Sequence, residues 1–494
     1  MPRAAVVLDP VDPWTAVSAE AISGLAPDRG ALVIAPDQRD VERLGRELTS
    51  RGIDHEVLLA ADGPEKRYRA FLRILRGASR VVIGTRSACF APVQNLALIV
   101  LWDEADDLHE EPRAPYPHSR TVLQCRSWEE RAALLLLSAS RSTTVETLAA
   151  QGYLRLLEPV PAPSAQVRPL VEAMDEHLRE REGPSGRSRL PGHALRVIRD
   201  GVTRGPVLVQ VPRTGYVPAL VCTFCGTRCR CPECASALTV PRGGSALQCP
   251  VCGRREDAYR CPECDRTGVR AVVIGSTRTA EELRRAFPQV PLLVAGGAQG
   301  PVADDDVPGE AIVVSTPGAE PAPAGGYAAA VLLDAEGLLG RAAFDADMEA
   351  VRRWRNAIAL VRTQEHGGRV LVVGDARLPA IRDLVMHRSR VLIDHVLADR
   401  RALDLPPFTR AADLTGPRGA VQEMLGELQL PPATHVYGPV EVPGEDADLV
   451  RAVLRVAPEQ ARDLARTLRG ATATRTARKR PGSVRVRIDP SGVL

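Results

Sequence analysis

A cysteine-rich segment decides the architecture of this chain: residues 222–264 read CTFCGTRCRCPECASALTVPRGGSALQCPVCGRREDAYRCPEC. Nine of the eleven cysteines lie in it, and eight of them form four Cys-x-x-Cys pairs: Cys222/Cys225, Cys231/Cys234, Cys249/Cys252 and Cys261/Cys264. Zinc prefers four thiolates in a tetrahedron, and two such turns supply them. The eight cysteines therefore predict two closed zinc sites, which leave no position for a water ligand and have a structural, non-hydrolytic role.

The residues around the pairs support tight turns at the cysteines. A proline follows the first cysteine of three pairs (Pro232, Pro250, Pro262), and a glycine follows the second cysteine of two (Gly226, Gly253). The loops between the pairs are too short for a hydrophobic core, so the metal is expected to hold the segment together. Two ions can share four pairs in three ways, and the spacing suits a nested arrangement. Cys229 fits no pair and is interpreted as a spectator that could compete as a ligand.

The cysteine segment interrupts an alternation of strands and helices. Helices such as Val41–Arg51 and Glu65–Arg76 separate the first strands, predicted at Ala4–Leu8, Ala31–Ala35, Arg80–Gly84, Leu96–Leu101 and Ala133–Ser138. A proline-rich linker, Pro159–Pro169, precedes strands predicted at Val207–Val211, Val269–Ile274, Leu292–Val294, Ala311–Val314, Ala328–Leu333 and Arg369–Val373. The alternation predicts an α/β protein with two parallel lobes and the cysteines inserted in the second. A mixed pattern from about Thr409 predicts a small α+β domain.

The composition of the chain indicates the cellular compartment and therefore the state of its cysteines. The 494 residues are 45% hydrophobic and carry a net charge of +3, which by itself demands no nucleic-acid partner. No apolar run is long enough for a bilayer, and the N-terminus lacks the order of a signal peptide, so we expect a cytoplasmic protein without a membrane partner. In that compartment a cysteine cluster indicates metal binding rather than disulfides. The isolated Cys89 and Cys125 are predicted to be core residues.

Several short motifs resemble those of one family, and they occur along essentially the whole chain. They include I-G-T-R-S-A at Ile83–Ala88, an Asp-Glu pair at Asp103–Glu104, P-Y-P-H-S-R at Pro115–Arg120, S-A-S at Ser138–Ser140, R-T-G-Y at Arg213–Tyr216, P-P-F at Pro406–Phe408, Y-G-P at Tyr437–Pro439 and I-D-P at Ile488–Pro490. Together with the spacing of the eight cysteines, these motifs make the chain similar to the PriA family (primosomal protein N-prime), superfamily 2 DNA helicases of replication restart.

The resemblance implies a fold and a set of metal ligands. It implies two RecA-like lobes, with boundaries at 1–158 for the first lobe, 159–220 for a linker and the start of the second lobe, 221–266 for the zinc insertion, 267–408 for the rest of the second lobe and 409–494 for the C-terminal domain. It assigns one zinc ion to Cys222, Cys225, Cys261 and Cys264, and a second zinc ion to Cys231, Cys234, Cys249 and Cys252. It also implies an N-terminal DNA-binding region before the P-loop strand at which this sequence begins, so either that region was lost or the start codon is placed late.

The sequence departs from the family at the nucleotide site. A P-loop needs glycine amides around phosphate, a lysine and a hydroxyl. The corresponding stretch, Leu8–Thr15, has no glycine, has Trp14 where the lysine belongs, and carries Asp9 and Asp12, which would repel phosphate. Only two lysines exist, Lys66 and Lys479, and neither lies nearby.

The second lobe has also lost its family motifs. The stretch from Val314 to Pro321 replaces one motif, and Arg362 is an offset remnant of the arginine finger, which is worth roughly 10³–10⁵ in rate in related enzymes. Asp103 and Glu104 remain as remnants of a magnesium ligand and a water activator. Turnover of ATP with Mg²⁺ is therefore not expected.

These observations favour a replication-restart primosome component that binds forked or single-stranded DNA and helps to reload the replicative helicase at stalled forks, without helicase activity of its own. Its implied partners are DNA, primosome and helicase-loading proteins, and single-stranded DNA-binding protein. The alternatives are an active ATP-dependent 3′-to-5′ helicase and a zinc-ribbon scaffold without a DNA role.

Two further groups of residues have two interpretations each. The basic stretch Ala473–Arg487 either contacts phosphates or is a solvated loop. Tyr116 and His118 either stack on a base or have a local structural role, and the latter is favoured because only 3% of the residues are aromatic.

Overall fold

In a computed structural model of the chain, the structure describes residues 1–490 except 11, 158–166, 175, 184–185, 187, 213–218, 226, 228, 234–237, 241–245, 250–253, 273–275, 340–342, 388 and 443–447. The chain forms two compact units. One consists of Met1–Pro161, Ile393–Val440 and Asp448–Val493, and the other of Ala162–Leu392, Glu441–Ala447 and Leu494. Most of the predicted linker Pro159–Pro169 lies outside the described residues, and the finer five-part division of the chain stays a prediction.

The first unit contains a seven-stranded, fully parallel sheet with the order β3-β4-β2-β5-β6-β1-β7. Its strands are β1 (Arg3–Val7), β2 (Gly30–Ile34), β3 (Glu56–Leu58), β4 (Val81–Gly84), β5 (Leu96–Trp102), β6 (Ala133–Ser138) and β7 (Arg155–Leu157). The helices between them are α1 (Trp14–Ser23), α2 (Gln38–Ser50), α3 (Pro64–Leu75), α4 (Ser119–Glu129) and α5 (Thr143–Ala150). The five strands predicted from apolar runs are all present, which confirms the α/β class.

Continuous apolar runs form these central strands because both faces of the sheet are covered. Every residue of β2 and β4 is buried. Along β2, Leu32 and Ile34 join the core on one face, whereas Ala31 and Val33 join the core on the other. Parallel strands covered by helices on both sides show this pattern, in contrast to the alternation of half-exposed strands.

The second unit contains a six-stranded parallel sheet with the order β14-β15-β9-β16-β17-β8. Its strands are β8 (Leu170–Ala173), β9 (Val207–Gln210), β14 (Leu292–Ala295), β15 (Ile312–Ser315), β16 (Ala329–Leu332) and β17 (Arg369–Val372). The helices are α6 (Glu176–Glu182), α7 (Gly192–Val202), α8 (Ser276–Ala286), α9 (Ala335–Leu339), α10 (Ala346–Ile358) and α11 (Pro379–Val385).

The cysteine segment is inserted between β9 and α8. Its ends are joined by antiparallel pairing of β10 (Ala219–Cys222) with β13 (Val269–Val272), and β11 (Leu247–Gln248) pairs with β12 (Arg255–Glu256) inside it. The expectation that Val269–Ile274 continues the parallel series is therefore wrong for its described part. The run pairs with β10 instead, and Val269 lies opposite Cys222.

The C-terminal part forms an antiparallel sheet in the first unit. After α12 (Ser389–Ala402) come β18 (Arg410–Pro417), α13 (Arg418–Glu427), β19 (His435–Glu441), β20 (Leu449–Val456), α14 (Ala461–Ala477) and β21 (Arg485–Ile488), with the strand order β19-β20-β18-β21. Leu414 and Leu454 of this sheet share a buried core with Val421 of α13 and Leu464 of α14. This is the α+β arrangement that the mixed sequence pattern predicted.

Candidate functional site

The carboxyl ends of β1, β5 and β6 meet at one edge of the first sheet. The amide of Leu8 donates to the carbonyl of Ser138 (2.8 Å), and the amide of Asp103 donates to the carbonyl of Leu137 (2.8 Å). The segments singled out from the sequence, Leu8–Thr15, Asp103–Glu104 and Ser138–Ser140, therefore lie side by side. This is the edge at which open α/β sheets bind ligands.

The described residues of the loop from β1 to α1 offer few donors for a phosphate group. Helix α1 begins at Trp14 behind Pro13, and no side chain caps its N-terminus. Pro10 and Pro13 have no amide hydrogen to offer an anion. The amide of Asp12 is used within the loop, where it donates to the carbonyl of Asp9 (2.9 Å). Burial and the neighbouring Asp9 raise the pKa of Asp12, as expected where negative charges gather.

An aromatic pair occupies this edge. Trp14 stacks on Trp102, the last residue of β5, with ring centroids 4.9 Å apart and planes inclined by 5°. Trp102 is buried. The residue that replaces the expected lysine is thus packed against the residue that precedes Asp103. The sequence indicated Trp14 as a substitution but gave no signal for its partner.

Glu104 is held by groups from two other segments. Its carboxylate, 1% exposed, forms an ion pair with Arg120 and accepts a hydrogen bond from the hydroxyl of Ser142. Arg120 lies in the first turn of α4, where His118 caps the helix by accepting from the Arg120 amide (3.1 Å). Each oxygen of the Glu104 carboxylate therefore has a partner within the unit. The P-Y-P-H-S-R motif is visible in the sequence, whereas the contact of its arginine with Glu104 depends on the fold.

Two further acidic residues, Asp37 and Asp40, lie at the start of α2. Asp37 caps helix α2 and accepts from the amide of Asp40 (2.9 Å). Burial and the charge of Asp37 raise the pKa of Asp40 to about 7, and Asp103 contributes in the same direction. The buried Asp103 has a left-handed backbone, with φ of 50°. Arg43 and Arg39 oppose the rise in the pKa of Asp40, so carboxylates and arginines both lie near this edge.

In the second unit, the side chains that stand at the altered family motifs form hydrogen bonds within the unit. Glu320 is buried and accepts from the side-chain amide of Gln210 (2.7 Å) and from the backbone amide of Gly318 (2.8 Å). Arg362 donates to the carbonyls of Gly325, Gly326 and Arg204, at 2.9, 3.2 and 2.8 Å. These carbonyls precede β16 and β9, so Arg362 lies at the amino edge of the sheet.

Four cysteines of the insertion converge on one point. The sulfur atoms of Cys222, Cys225, Cys261 and Cys264 all lie within 4.8 Å of one another, with Sγ–Sγ distances of 3.5 Å for Cys222–Cys264 and Cys225–Cys261. Tetrahedral zinc with Zn–S bonds of about 2.3 Å would place its sulfurs roughly 3.8 Å apart. The four thiols therefore fit a closed metal site, and these are the residues that the family resemblance assigned to one zinc ion.

Hydrogen bonds lower the pKa of two of these thiols, whereas burial and contacts with the other three thiols raise the pKa of Cys264. The amides of Cys225 and Phe224 lower the pKa of Cys222. The hydroxyl and the amide of Thr227 lower the pKa of Cys225 to about 6. Thiolates, not thiols, bind zinc, so donors that stabilise the charged form favour metal binding.

The turns around the cysteines repeat one hydrogen bond. The amide of the first cysteine donates to the carbonyl five residues later at Cys222 (to Thr227, 2.8 Å), Cys249 (to Arg254, 2.8 Å) and Cys261 (to Arg266, 2.9 Å). Cys231 and Cys249, two of the four residues assigned to the second zinc ion, are buried. Their predicted co-ligands, Cys234 and Cys252, lie outside the described residues.

The remaining cysteines have different environments. Cys229 is buried in the small core of the insertion, where burial raises its pKa to about 11. Cys89 is buried in the core of the first sheet, as predicted. Cys125 is exposed, so its prediction as a core residue is wrong: it lies on α4, which buries Ser119, Leu123 and Ser127 instead.

The basic stretch near the C-terminus is partly used within the protein. Arg475 and Arg480 form ion pairs with Glu423, and Arg487 pairs with Asp413 (2.7 Å) and Glu110 (3.4 Å). The other three cations of the stretch are exposed, namely Arg478, Lys479 and Arg485.

Residues of the loop before α4 contact both the I-G-T-R-S-A motif and the last strand. Arg86 of this motif forms an ion pair with Glu111 (3.0 Å) and donates to the carbonyl of Glu110 (3.0 Å). The side chain of Glu110 contacts Arg487 of β21. In this loop His109 is buried and half-buried Tyr116 has a left-handed backbone, which together with the cap at His118 supports a structural role for the segment. No helix in the described part of the chain is long and apolar enough to cross a membrane.

Comparison with known proteins gives consistent matches. A sequence profile described as "Primosomal protein N C-terminal domain" matches residues 401–491. The chain is 41% identical to the "Probable replication restart protein PriA" of Mycobacterium leprae, covering 97% of this chain and 76% of that protein. The corresponding values for the protein of the same name from Mycobacterium tuberculosis are 41%, 94% and 74%. The "Replication restart protein PriA" of Bacillus subtilis is 27% identical over 53% of this chain and 33% of that protein.

Solved structures give weaker matches. RecG bound to a three-way DNA junction matches with 11% identity and a TM-score of 0.42, covering 80% of this chain and 43% of that chain. Mss116p bound to single-stranded RNA and AMP-PNP matches with 13% identity and a TM-score of 0.44, covering 79% of this chain and 70% of that chain. At these scores nothing further follows from the structural matches.

Proposed function

The chain belongs to the PriA family of replication restart proteins, and on this premise we propose that it binds forked or single-stranded DNA as a primosome component without hydrolysing ATP. In this proposal its two parallel sheets are RecA-like lobes that serve as a scaffold. Its partners are helicase-loading and single-stranded DNA-binding proteins, with which it helps to reload the replicative helicase at stalled forks.

The Trp14–Trp102 stack carries the proposal of inactivity. It fills the edge where a phosphate-binding lysine would have to reach the nucleotide. The donor groups that a P-loop supplies are replaced by prolines and carboxylates, and Glu104 is tied to Arg120. Arg362 is held by backbone carbonyls at the amino edge of the second sheet. Each change alone would weaken catalysis, and together they support a protein that does not turn over ATP.

Two structural zinc ions are the second element of the proposal. Cys222, Cys225, Cys261 and Cys264 would hold one ion, and Cys231, Cys234, Cys249 and Cys252 the other. Each ion would crosslink two turns that the short apolar core of the insertion stabilises only weakly. A four-thiolate site has no open position, so its contribution is to the fold of the insertion and not to hydrolysis.

DNA binding is expected to depend on phosphate contacts. Arg478, Lys479 and Arg485 are exposed at the end of α14 and on β21, and they are the cations of the basic stretch that remain outward-facing. The logarithm of the DNA-binding constant falls linearly with the logarithm of the salt concentration, and removing three phosphate contacts makes this negative slope shallower by roughly 2–3. The test is fluorescence anisotropy of a labelled fork with zinc-loaded protein over a salt series.

A matched control keeps this test specific. The R478A/K479A/R485A variant should weaken fork binding and reduce the salt slope, whereas R462A/R466A/R469A removes the same charge from exposed positions of α14 and should leave both nearly unchanged. Equal effects of the two variants would mean that only net charge matters. Complete absence of salt-dependent DNA binding would favour a zinc-ribbon interaction scaffold instead.

ATP hydrolysis with and without the fork tests the other half of the proposal. We expect no DNA-stimulated turnover in the wild-type protein or in Trp14→Lys, because the lysine alone restores neither the amides lost to Pro10 and Pro13 nor the charge balance at Asp9 and Asp12. Turnover that disappears in Glu104→Gln would establish an active helicase and refute the proposal of inactivity.

A further inference from the structure

Helix α3 carries an apolar row that faces solvent. Tyr68, Phe71 and Leu75 are 64%, 40% and 46% exposed. They occupy positions i, i+3 and i+7 of one helix, so they lie along a single stripe on its surface, and half-buried Leu72 at i+4 continues the stripe toward the body of the protein.

The stripe is separate from the face by which α3 is held in the fold. Ala70 and Ile74 point into the core of the first sheet and are buried. The whole chain has only six phenylalanines and seven tyrosines, yet α3 exposes one of each within a single turn. Apolar rows with this spacing are the anchors of helix-in-groove and helix–helix recognition between proteins.

Positive charge flanks the stripe. Residues 64–76 contain five cations (Lys66, Arg67, Arg69, Arg73 and Arg76) and one acid, Glu65. Three of these cations already have partners: Lys66 pairs with Asp62, Arg69 with Glu65 and Arg73 with Glu56. Arg67 and Arg76 form no ion pair with any residue that the structure describes, and both are exposed. They bracket the stripe about 14 Å apart along the helix axis.

A protein segment fits this surface better than a nucleic acid does. The lower half of the stripe is aliphatic, through Leu72 and Leu75, and offers no flat ring on which a base could stack. Most of the cations are neutralised within the chain, whereas a strand of DNA would need a continuous row of them. Two bracketing arginines suit two carboxylates on one short segment.

We propose that α3 is a docking surface for an acidic amphipathic segment of a partner protein. Its apolar side chains pack on Tyr68, Phe71 and Leu75, and its carboxylates pair with Arg67 and Arg76. This surface is independent of DNA binding and of the metal centre, so its test can fail while the proposed function stands, and the reverse is also true.

The experiment selects peptides from a display library of random 16-residue sequences against the full-length, zinc-loaded chain. The F71S/L75S variant serves for counter-selection because both side chains are exposed, and circular dichroism and thermal unfolding check that this variant remains folded. The selected peptides should contain apolar residues at helical spacing flanked by at least two Asp or Glu. Their binding should weaken at least tenfold in F71S/L75S and in R67E/R76E, and it should weaken with added salt.

Reversing the charge of Arg67 and Arg76 tests whether these two residues determine which peptides bind. Selection against R67E/R76E should yield peptides with Lys or Arg at the flanking positions in place of the acids, whereas Trp128→Ser, which removes an exposed aromatic residue elsewhere in the unit, should select the same peptides as the wild type. Enrichment of no stripe-dependent peptide, or of basic peptides on the wild-type chain, overturns the proposal. A tenfold loss of dT20 binding in F71S/L75S overturns it in favour of a nucleic-acid surface, and concentration-dependent dimerisation that F71S/L75S abolishes overturns it in favour of a second copy of the chain.

Discussion

Trp14 and Trp102 stack with their ring centroids 4.9 Å apart and their planes 5° from parallel. One ring comes from the first turn of α1 and the other from the end of β5, so the contact joins two segments 88 positions apart at the carboxyl edge of the first sheet. In a nucleotide-hydrolysing relative of this fold the same edge has to remain open for phosphate. Here the described part of that edge carries an aromatic contact between α1 and β5.

This contact should be measurable as stability. We expect Trp14→Ala to lower the free energy of unfolding by about 1–3 kcal/mol, because it removes an aromatic stack and part of the burial of Trp102. Urea denaturation of the zinc-loaded protein measures the change. Trp128→Ala is the matched control, since Trp128 is 73% exposed, and its effect should stay within about 0.5 kcal/mol. Equal effects of the two substitutions would show that the stack does not stabilise the unit.

Asp40 should make the first unit less stable as pH rises. Its pKa is raised in the folded protein from 3.8 to about 7, so the native state holds a proton that the unfolded state has released. This contribution to stability is present below pH 4 and is lost between about pH 4 and 7, by an amount on the order of 1–4 kcal/mol.

Comparison of Asp40→Asn with the wild type isolates this titration from all others. The variant stays neutral, so its unfolding free energy relative to the wild type should rise between pH 4.5 and 7 and then level off. Asp28→Asn, at an exposed position, should run parallel to the wild type throughout. Parallel curves for Asp40→Asn as well would contradict the raised pKa.

Much of the fold could be predicted from local sequence. The strands of the first sheet are continuous apolar runs that only a doubly covered parallel sheet accommodates, so their positions were readable directly. The cysteine pairs indicated a metal centre by spacing alone, and the four residues that converge include the first and the last pair, 42 positions apart. By contrast, β13 was misassigned because an apolar run does not reveal its partner strand, which is β10.

The details of the site depend on contacts between distant segments. Trp102 precedes the Asp-Glu pair and resembles any apolar strand residue until Trp14 is placed upon it. The sequence shows Arg120 only as part of a motif, because its ion pair with Glu104 is made across the loop between β5 and α4. Cys125 was misplaced for a related reason: the burial of a helical residue depends on which face the sheet covers.

Asp413 is a buried charge whose partners come from two other strands. It lies on β18, contacts Arg487 of β21 (2.7 Å) and Arg451 of β20 (3.5 Å), and accepts from the hydroxyl of Thr415 (2.6 Å). Arg487→Ala leaves the carboxylate buried with a more distant cation, and we expect a loss of about 2–5 kcal/mol in unfolding free energy. Replacing both Asp413 and Arg487 by apolar residues should cost much less than the sum of the single changes, as a thermodynamic cycle by urea denaturation would show.

Glu110→Gln separates this effect from the weaker contact of Arg487 with the loop before α4. The Glu110–Arg487 distance is 3.4 Å, and the pair lies closer to solvent, so its loss should change stability by less than about 1 kcal/mol. An effect of Glu110→Gln as large as that of Arg487→Ala would mean that the contact between the loop and β21, rather than the charge of Asp413, holds the C-terminal sheet.

The cysteines give the sharpest test of the metal centre. Loss of any member of a four-thiolate site leaves three ligands, which hold zinc far less well, so Cys261→Ser should bind one zinc ion fewer than the wild type. Cys249→Ser should also lose one ion, from the second site, and Cys222→Ser/Cys261→Ser should lose no more than Cys261→Ser alone because both changes affect the same ion. Cys229→Ser should retain the full metal content, since its side chain lies in the core of the insertion. Metal analysis after gel filtration gives these counts.

Hydrogen exchange shows which part of the fold depends on the metal. Chelation of zinc should expose the amides of β10 to β13 while β2 and β4 stay protected, because the insertion is held by the metal and the parallel sheets by their own cores. Loss of both ions in Cys261→Ser, or retention of both, would show that the four converging sulfurs do not form an independent site.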